Sequence, residues 1–536
     1  MGESNEDMFS GIPFGLWNLL YISIMCLNQA SAPAQYYSSI FANIPVDFRC
    51  STNVTGEKNI TFDNYCHVTS ANIDSGEYNE SLNNCTTYEF DTSQVSSTFI
   101  SEFQLVCDKA WIASMFVMIF PIGSFIGTFF LGASDKWGRV TVIKISSTIH
   151  VAGILFVGLA RHVYLVLLGR FFIGLTFPIF IGAGIPLSLE SVSPKHRSTV
   201  SFMIMLPFYA FVMLLGILAY FIREWRMLYL ITSIPMFPVP IIALFLDKSP
   251  RWLIQQGRVD EAYMVMQKAA KMNKGTVDFD LTFIKMELSN NSDEHNSASN
   301  SIFRTTATIK TLMSQLYGTT YMLKLSFAIP TLWFLSAIVY FGVPLNANNF
   351  TNNPYLYMIM IGAAELPAAL LGPLLIKYFG NIKTGISLFL ITGCCMLGTL
   401  LVTDNLWWIK WIFAILTMTC SGIIIGKCSL LTSEMFPTVV RSTGYGMSFA
   451  AYYLGFFLSS LISNMKIVSE TWWAFNTICG VCCVLGAVII SFLPETHGQI
   501  LCETTNQAND RKLPESKSKY MKVNMGDETE LSHVQS

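Results

Sequence analysis

The sequence predicts an all-α membrane protein, with twelve transmembrane helices arranged as two six-helix halves. Three observations lead there. Charged residues make up 13% of the 536-residue chain and hydrophobic residues 52%, where ordinary soluble domains carry roughly 25% charged residues. Apolar runs of about 20 residues, the length of a helix across a bilayer, recur from end to end. One charged spacing also occurs twice: Glu190 and Arg197 follow the fourth run, and Glu434 and Arg441 follow the tenth. The net charge of −2 lacks the basic excess that marks nucleic-acid binding.

The runs fall at 14–34, 111–132, 140–160, 163–189, 199–222, 227–246, 325–345, 355–376, 384–402, 407–432, 443–463 and 472–493. Membrane barrel strands would alternate in polarity over about ten residues, and these runs do not. Residues 1–34 hold a cytoplasmic N-terminus and span 1. The acidic flank of that span (Glu3, Glu6, Asp7) argues against a cleaved signal, which needs basic residues there. Glu6 stands where a myristoylation motif requires Ser or Thr.

Residues 35–110 form the first long polar segment. It carries Cys50, Cys66, Cys85 and Cys107, glycosylation sequons at Asn53, Asn59, Asn79 and Asn84, and ten acids against three bases. Four cysteines among four sequons imply an oxidising, extracellular loop with two disulfides, in any of three pairings. Residues 111–246 then complete the N-terminal half with spans 2–6. Between spans 2 and 3 the charged turn Gly132-Ala-Ser-Asp135-Lys-Trp-Gly138-Arg139 leaves almost no room for a soluble loop. Asp135 and Arg139 lie one helical turn apart in it.

Residues 247–324 form a second polar segment, with no cysteine and ten Lys or Arg. Within it, 260–274 reads as a short amphipathic helix that turns Tyr263, Met264 and Met266 to its apolar side. Residues 325–493 hold spans 7–12, and residues 494–536 a polar tail of disordered composition. The basic residues of the short loops fall on the side of the 247–324 segment, so the positive-inside rule puts both termini in the cytoplasm. The repeated Glu–Arg spacing makes the halves parallel repeats. Such folds place a site between the halves near the midplane and expose it to each side in turn.

Several of these segments resemble signatures of the major facilitator superfamily. Asp135-Lys-Trp-Gly138-Arg139 is one and Arg170-Phe-Phe-Ile-Gly174 another. The cysteine-rich loop, Gln104-Leu-Val-Cys107-Asp108, Asp247-Lys-Ser-Pro250-Arg251-Trp252-Leu253, Glu434-Met-Phe-Pro437-Thr438-Val-Val-Arg441 and Leu493-Pro494-Glu495-Thr496 narrow the match. Together they resemble the organic cation, anion and zwitterion transporter family (solute carrier family 22) over nearly the whole chain. The resemblance implies the major facilitator fold, a plasma-membrane location and a cavity between the halves. It also points to cavity aromatics at Phe208 in span 5 and at Trp333 and Tyr340 in span 7, and to an acid at Glu365 in span 8.

The chain departs from the family pattern too. Lys377-Tyr-Phe-Gly380-Asn381, the second-half counterpart of the charged turn, has lost its acid and its terminal arginine. Tyr453 stands in span 11 where cation carriers tend to have Asp and anion carriers Arg. Pro178 replaces a basic residue typical of cation carriers, and the outer loop has four cysteines where many members have six.

A carboxylate as deep as Glu365 marks a water-filled path or a partner. It would attract a cation or zwitterion, or take up a coupling proton. Lys427 in span 10 either snorkels toward the headgroups or faces the cavity. Trp333 and Tyr340 are seven apart and share a helix face. With Phe208 and Tyr453 they could build an aromatic cage, worth roughly 0.5–2 kcal/mol per cation–π contact. Asp135, Arg139, Glu190, Arg197, Glu434 and Arg441 read as a cytoplasmic charge network whose pairs hold one state closed, and Arg170 as a structural or gating charge.

No hydrolase, kinase or nucleotide-binding motif is present, and the seven histidines show no metal-ligand spacing. The sequence therefore implies no enzyme activity, cofactor, metal or nucleotide. A channel is disfavoured, since nothing forms a ring of charge or a carbonyl filter. The expected function is transport of small organic ions across the bilayer by alternating access, cations or zwitterions slightly ahead of anions. A sugar-type carrier and a transport-inactive receptor or scaffold are the alternatives.

Overall fold

The computed structural model of the protein describes residues 12–50, 66–70, 81–85, 87–93, 95–193, 196–276, 316–345, 353–402, 406–437, 440–465 and 472–496. Among these residues, eleven helices are long and apolar enough to cross a membrane. In the first half span 2 is Ala110–Thr128, span 3 Arg139–Leu159, span 4 Val163–Glu190 and span 5 Arg197–Phe221. Span 6 is broken into Trp225–Ser233 and Val239–Leu244; the break falls at Pro235 and Pro238, which have no N–H to give the helix ladder. The second half holds Thr320–Leu345, Pro354–Phe379, Asn381–Gly398, Trp407–Met435, Arg441–Met465 and Trp472–Ser491 as spans 7–12.

Span 1, Leu16–Ala42, differs from these eleven in composition rather than in length. Its 27 residues include Asn18, Asn28, Gln29, Ser31, Gln35, Ser38 and Ser39, all buried. At 1.5 Å per residue it is long enough to cross. Helices that face protein instead of lipid carry polar groups at little cost, so a run of lower hydropathy marks an interior span.

Spans 1–6 pack on one another, as do spans 7–12, and the halves meet where span 2 touches span 11, span 5 touches span 8 and span 1 touches span 7. Spans 2 and 8 occupy matching places in the two repeats, as do spans 5 and 11. The 2–11 and 5–8 contacts are therefore one contact made twice around a pseudo-twofold axis along the membrane normal. Small residues bring backbones together within a half. A Cβ on Gly174 would lie 2.2 Å from the Phe120 carbonyl oxygen, and one on Gly123 would lie 2.4 Å from that of Phe171. Only glycine permits this approach of spans 2 and 4, which accounts for Gly174 in the Arg170–Gly174 signature.

The face opposite the cysteine loop carries two related latches. In the first half Arg139 ion-pairs with Glu190, and Ser249 Oγ donates to Glu190 at 2.8 Å. Gly138 takes a φ of +85° there, with the Trp252 ring lying over it. In the second half Gly380 takes a φ of +81° and Asn381 stands in for Arg139. Its Nδ2 donates to Glu434 at 2.7 Å and to Thr496 Oγ1 at 2.8 Å. The lost acid is restored from beyond span 12: Glu495 accepts the backbone N–H groups of Asn381 and Ile382 at 2.8 and 3.0 Å, at a helix start where the dipole favours negative charge.

This arrangement corrects the expected charge network. Glu190 pairs with Arg139 on span 3 and not with Arg197, and among the described residues no ion pair involves Arg197. Arg441 donates from Nε to the Phe436 carbonyl at 3.2 Å, while Glu434 serves Asn381. Each latch lies within one half, so it braces that half instead of clamping the two together. The side chain of Asp135 lies outside the described residues.

The helix Val259–Asn273 confirms the amphipathic segment but turns it differently. Met266 is buried with Val259, Ala262, Ala269 and Ala270, and Met264 is exposed. Asn273 holds the start of span 1: its Oδ1 accepts the Trp17 N–H at 3.0 Å, and its Nδ2 donates to the Pro13 carbonyl at 2.9 Å. Lys268 pairs with Asp247 at 2.7 Å.

On the loop face, β1 (Phe48–Cys50) pairs antiparallel with β4 (Tyr88–Phe90), and β2 (His67–Ser70) with β3 (Ser81–Asn84). Cys66 is bonded to Cys107 and Cys85 is also in a disulfide; the side chain of Cys50 lies outside the described residues. So do Asn53, Asn59, Asn79, the side chain of Asn84 and the tail from 497 onward. Glu102 docks the end of this loop onto the first half, accepting Trp225 Nε1 at 2.8 Å and Arg226 Nε at 2.9 Å. Arg226 also donates to the carbonyls of Val157, Gly158 and Ala160 at the end of span 3. The Cys66–Cys107 bond closes 41 residues, for which chain entropy gives about 4 kcal/mol. Cys66→Ser should therefore leave the spans folded but free the loop, read as faster limited proteolysis between residues 66 and 98.

Candidate substrate site between the halves

Spans 1, 5, 7, 8 and 11 bring a set of rings and one acid together between the halves. Glu365 is 1% exposed and is the only acid among the buried residues described. Tyr340 Oη donates to its Oε1 at 2.8 Å. Oε2 has no hydrogen-bond partner among the described residues. The hydroxyls of Tyr37, Tyr209 and Tyr452 lie within electrostatic range of the carboxyl, and Tyr37 Oη is buried without a well-formed hydrogen bond.

Beside this dyad the rings pack around Tyr36. Its centroid lies 5.5 Å from Phe120, 5.3 Å from Phe177, 6.1 Å from Phe208, 5.3 Å from Phe341 and 5.7 Å from Phe456. Phe341 and Phe456 stack across spans 7 and 11 at 3.7 Å. The cluster therefore draws on both halves and lies along the path between the two faces.

The halves close on the loop face. Phe41 of span 1 stacks on Tyr355 of span 8 at 5.7 Å. A Cβ on Gly216 of span 5 would lie 2.8 Å from the Tyr355 carbonyl oxygen. On the latch face, by contrast, nothing lies within 4 Å of where a Cβ would stand on Gly426 or Gly446. The two halves are thus in contact on the loop face in this conformation.

The profile of the sugar (and other) transporter family matches residues 66–507. Organic cation transporter 1 of Caenorhabditis elegans is 30% identical over 465 residues, covering 84% of this chain and 76% of that protein. The chain belongs to the organic cation, anion and zwitterion transporter family of the major facilitator superfamily. Organic cation/carnitine transporter 2 of Homo sapiens is 27% identical, over 78% of this chain and 73% of that protein. Organic anion transporter 3 of Oryctolagus cuniculus is also 27% identical, over 79% and 76%. In fold, the carrier is similar to the xylose transporter XylE from E. coli in an inward open conformation. The TM-score is 0.59 at 16% identity, covering 92% of this chain and 98% of that one.

Within this carrier the predicted site residues separate. Tyr340 and Glu365 come together. Phe208 reaches the ring cluster through Tyr36 and Tyr37, and Tyr453 reaches it through a side-chain hydrogen bond with Tyr36 while packing on Tyr452. Trp333 donates from Nε1 to Thr432 Oγ1 at 3.0 Å and packs on Phe449 and Tyr452. Of the four expected cage residues, Phe208 and Tyr453 thus meet at Tyr36 and Tyr340 packs on Phe341, while Trp333 stands apart on Phe449 and Tyr452; Tyr36, Phe341 and Phe456 form the centre. Sequence reasoning missed these three with Tyr37, Tyr209 and Tyr452. The expected border of span 1 at residue 34 had put Tyr36 and Tyr37 in the outer loop, whereas the helix continues to Ala42 and carries both rings into the centre.

Lys427 is corrected outright. Its Cε and Nζ lie 2.9 Å from where a Cβ would stand on Gly385 of span 9, beside Ile490 of span 12, so it faces the back of the second half. Nζ has no hydrogen-bond partner among the described residues and lies within electrostatic range of Glu434 and Glu495, so it belongs with the second-half latch. Lys427→Met should keep uptake within about twofold of wild type, and a loss beyond tenfold would return the residue to the cavity. A buried amine without a partner costs about 1 kcal/mol or more, so the thermal midpoint should hold or rise.

Arg170, expected as a structural or gating charge, is held by carbonyls in this conformation. It is 1% exposed, donates to the carbonyls of Gln35 and Phe116 at 3.0 and 3.3 Å and lies over the Phe116 ring at 4.6 Å. It ties span 4 to spans 1 and 2.

Proposed function

We propose that this carrier moves small organic ions across the plasma membrane by alternating access, with cations or zwitterions ahead of anions. The observation that carries the reading is Glu365: one acid, buried between the halves, with one oxygen held by Tyr340 and the other unpartnered. No buried Arg or Lys among the described residues shares its cavity; Arg170 is committed to carbonyls and Lys427 faces away. An anion would therefore meet a carboxylate with no countercharge, whereas a cation would relieve its isolation.

The termini and the helix Val259–Asn273 lie on the cytoplasmic side in this reading, and the disulfide-bonded loop outside. The relatives named above supply the substrate class, since two are named for organic cations and one for organic anions. A sugar carrier is disfavoured by the Tyr and Phe rings packed between the halves.

Uptake into cells expressing the chain, over a panel of labelled organic cations, zwitterions and anions, tests the reading. Saturable uptake confined to cations or zwitterions supports it. Uptake of anions alone would reverse the sign. A glycosylated surface protein that moves none of the panel would favour a receptor or scaffold.

A further inference from the structure

Glu365 and its neighbours also bear on which cations fit, an inference that rests on the function proposed above. Two kinds of cation are at issue. A protonated amine brings N–H groups that donate hydrogen bonds. A quaternary ammonium brings only methyl or methylene groups around its charge and relies on open aromatic faces.

The ring faces here are already used. Phe341 and Phe456 cover each other at 3.7 Å. Tyr36 stands edge-on to Phe120, Phe177 and Phe208, and Trp333 is edge-on to Tyr452 with its N–H given to Thr432. What the site leaves vacant is hydrogen bonding: Glu365 Oε2, an acceptor, and Tyr37 Oη, which can donate or accept, are both buried and without a well-formed partner. A buried acceptor left unmade costs its full desolvation, and a charged donor recovers it with a short, strong bond.

We infer that the carrier selects protonated amines bearing at least one N–H over quaternary ammonium ions of the same skeleton, through Glu365 Oε2. Tyr340 acts as the positioning residue: by occupying Oε1 it fixes the carboxylate plane and directs the free oxygen to the substrate.

The test uses matched pairs, a phenylalkyl dimethylamine and its trimethylammonium analogue, in cells expressing the full chain. Uptake above mock-transfected cells and mutual inhibition are both measured. A hydrogen bond to a charged group is worth roughly tenfold or more in affinity, so the dimethylammonium form should show at least about a tenfold lower KM. Tyr340→Phe should narrow that ratio while both compounds are still carried, which a purely structural tyrosine would not do. Equal affinities in wild type, or a preference for the quaternary ion, would overturn the inference while uptake of both left the proposed function standing. If neither compound enters or inhibits the other, both readings fall.

Discussion

Glu365→Gln is expected to abolish most saturable organic-cation uptake while the protein still reaches the cell surface. The glutamine keeps the shape and can still accept the Tyr340 hydroxyl, so the 2.8 Å contact survives the change. What is lost is the charge that attracts the substrate and the charge-assisted bond at Oε2. Such bonds contribute about 1.5–3 kcal/mol, which lowers uptake efficiency by roughly 10- to 150-fold. Removing a buried charge also removes a desolvation cost, so thermal stability should not fall. Concentration-dependent uptake beside surface biotinylation checks both parts. Unchanged uptake in a variant present at the surface would take the acid out of the substrate path.

The second large effect concerns the conformational cycle. Gly216 lies where spans 5 and 8 meet on the loop face, with 2.8 Å between its would-be Cβ and the Tyr355 carbonyl, and 2.9 Å to Ile359 Cγ1. Gly216→Val forces a branched side chain against backbone, and overpacking of this kind costs about 1–3 kcal/mol. The cost falls only on the state in which the loop face is shut, so the equilibrium shifts toward the opposite state by roughly 5- to 150-fold. Transport should fall to a small fraction of wild type, while binding of a labelled cation from the loop side is kept or strengthened. Gly446→Val is the control. Nothing lies within 4 Å of that position, so it leaves the closure described here unaffected. Equal and mild effects from the two variants would show that the loop-face contact does not govern the cycle.

Much of this protein was legible in the sequence because the bilayer makes local composition decisive. A helix in lipid must satisfy its backbone internally and present apolar side chains for about 20 residues, so the twelve spans announce themselves one by one. The parallel repeat was legible in the Glu190–Arg197 and Glu434–Arg441 spacing, and the oxidising side in the cysteines and sequons of one loop. Glu365 stood out because an acid at that depth is costly.

Tertiary structure decided how those residues are partnered, since hydrogen bonds and ion pairs depend on which helix faces which. The sequence offered Asp135, Arg139, Glu190, Arg197, Glu434 and Arg441 as one network without assigning pairs, and the packing of span 3 on span 4 delivers Arg139 to Glu190. The degraded second-half turn implied a latch of a different or weaker kind, and Asn381, Thr496 and Glu495 build a different one from segments 114 and 115 residues apart. Lys427 lies on the same span as residues that face the centre, and a rotation of 100° per residue turns it to the back. The same rotation fills the expected cage with Tyr36, Phe341 and Phe456 and leaves Glu365 Oε2 as the open valence. The sequence by itself determined the spans, the halves and the acid, because these depend on each residue's own free energy in lipid or water. Only the fold determined the latches, the closed face and the free oxygen, because these depend on distances between residues far apart in the chain.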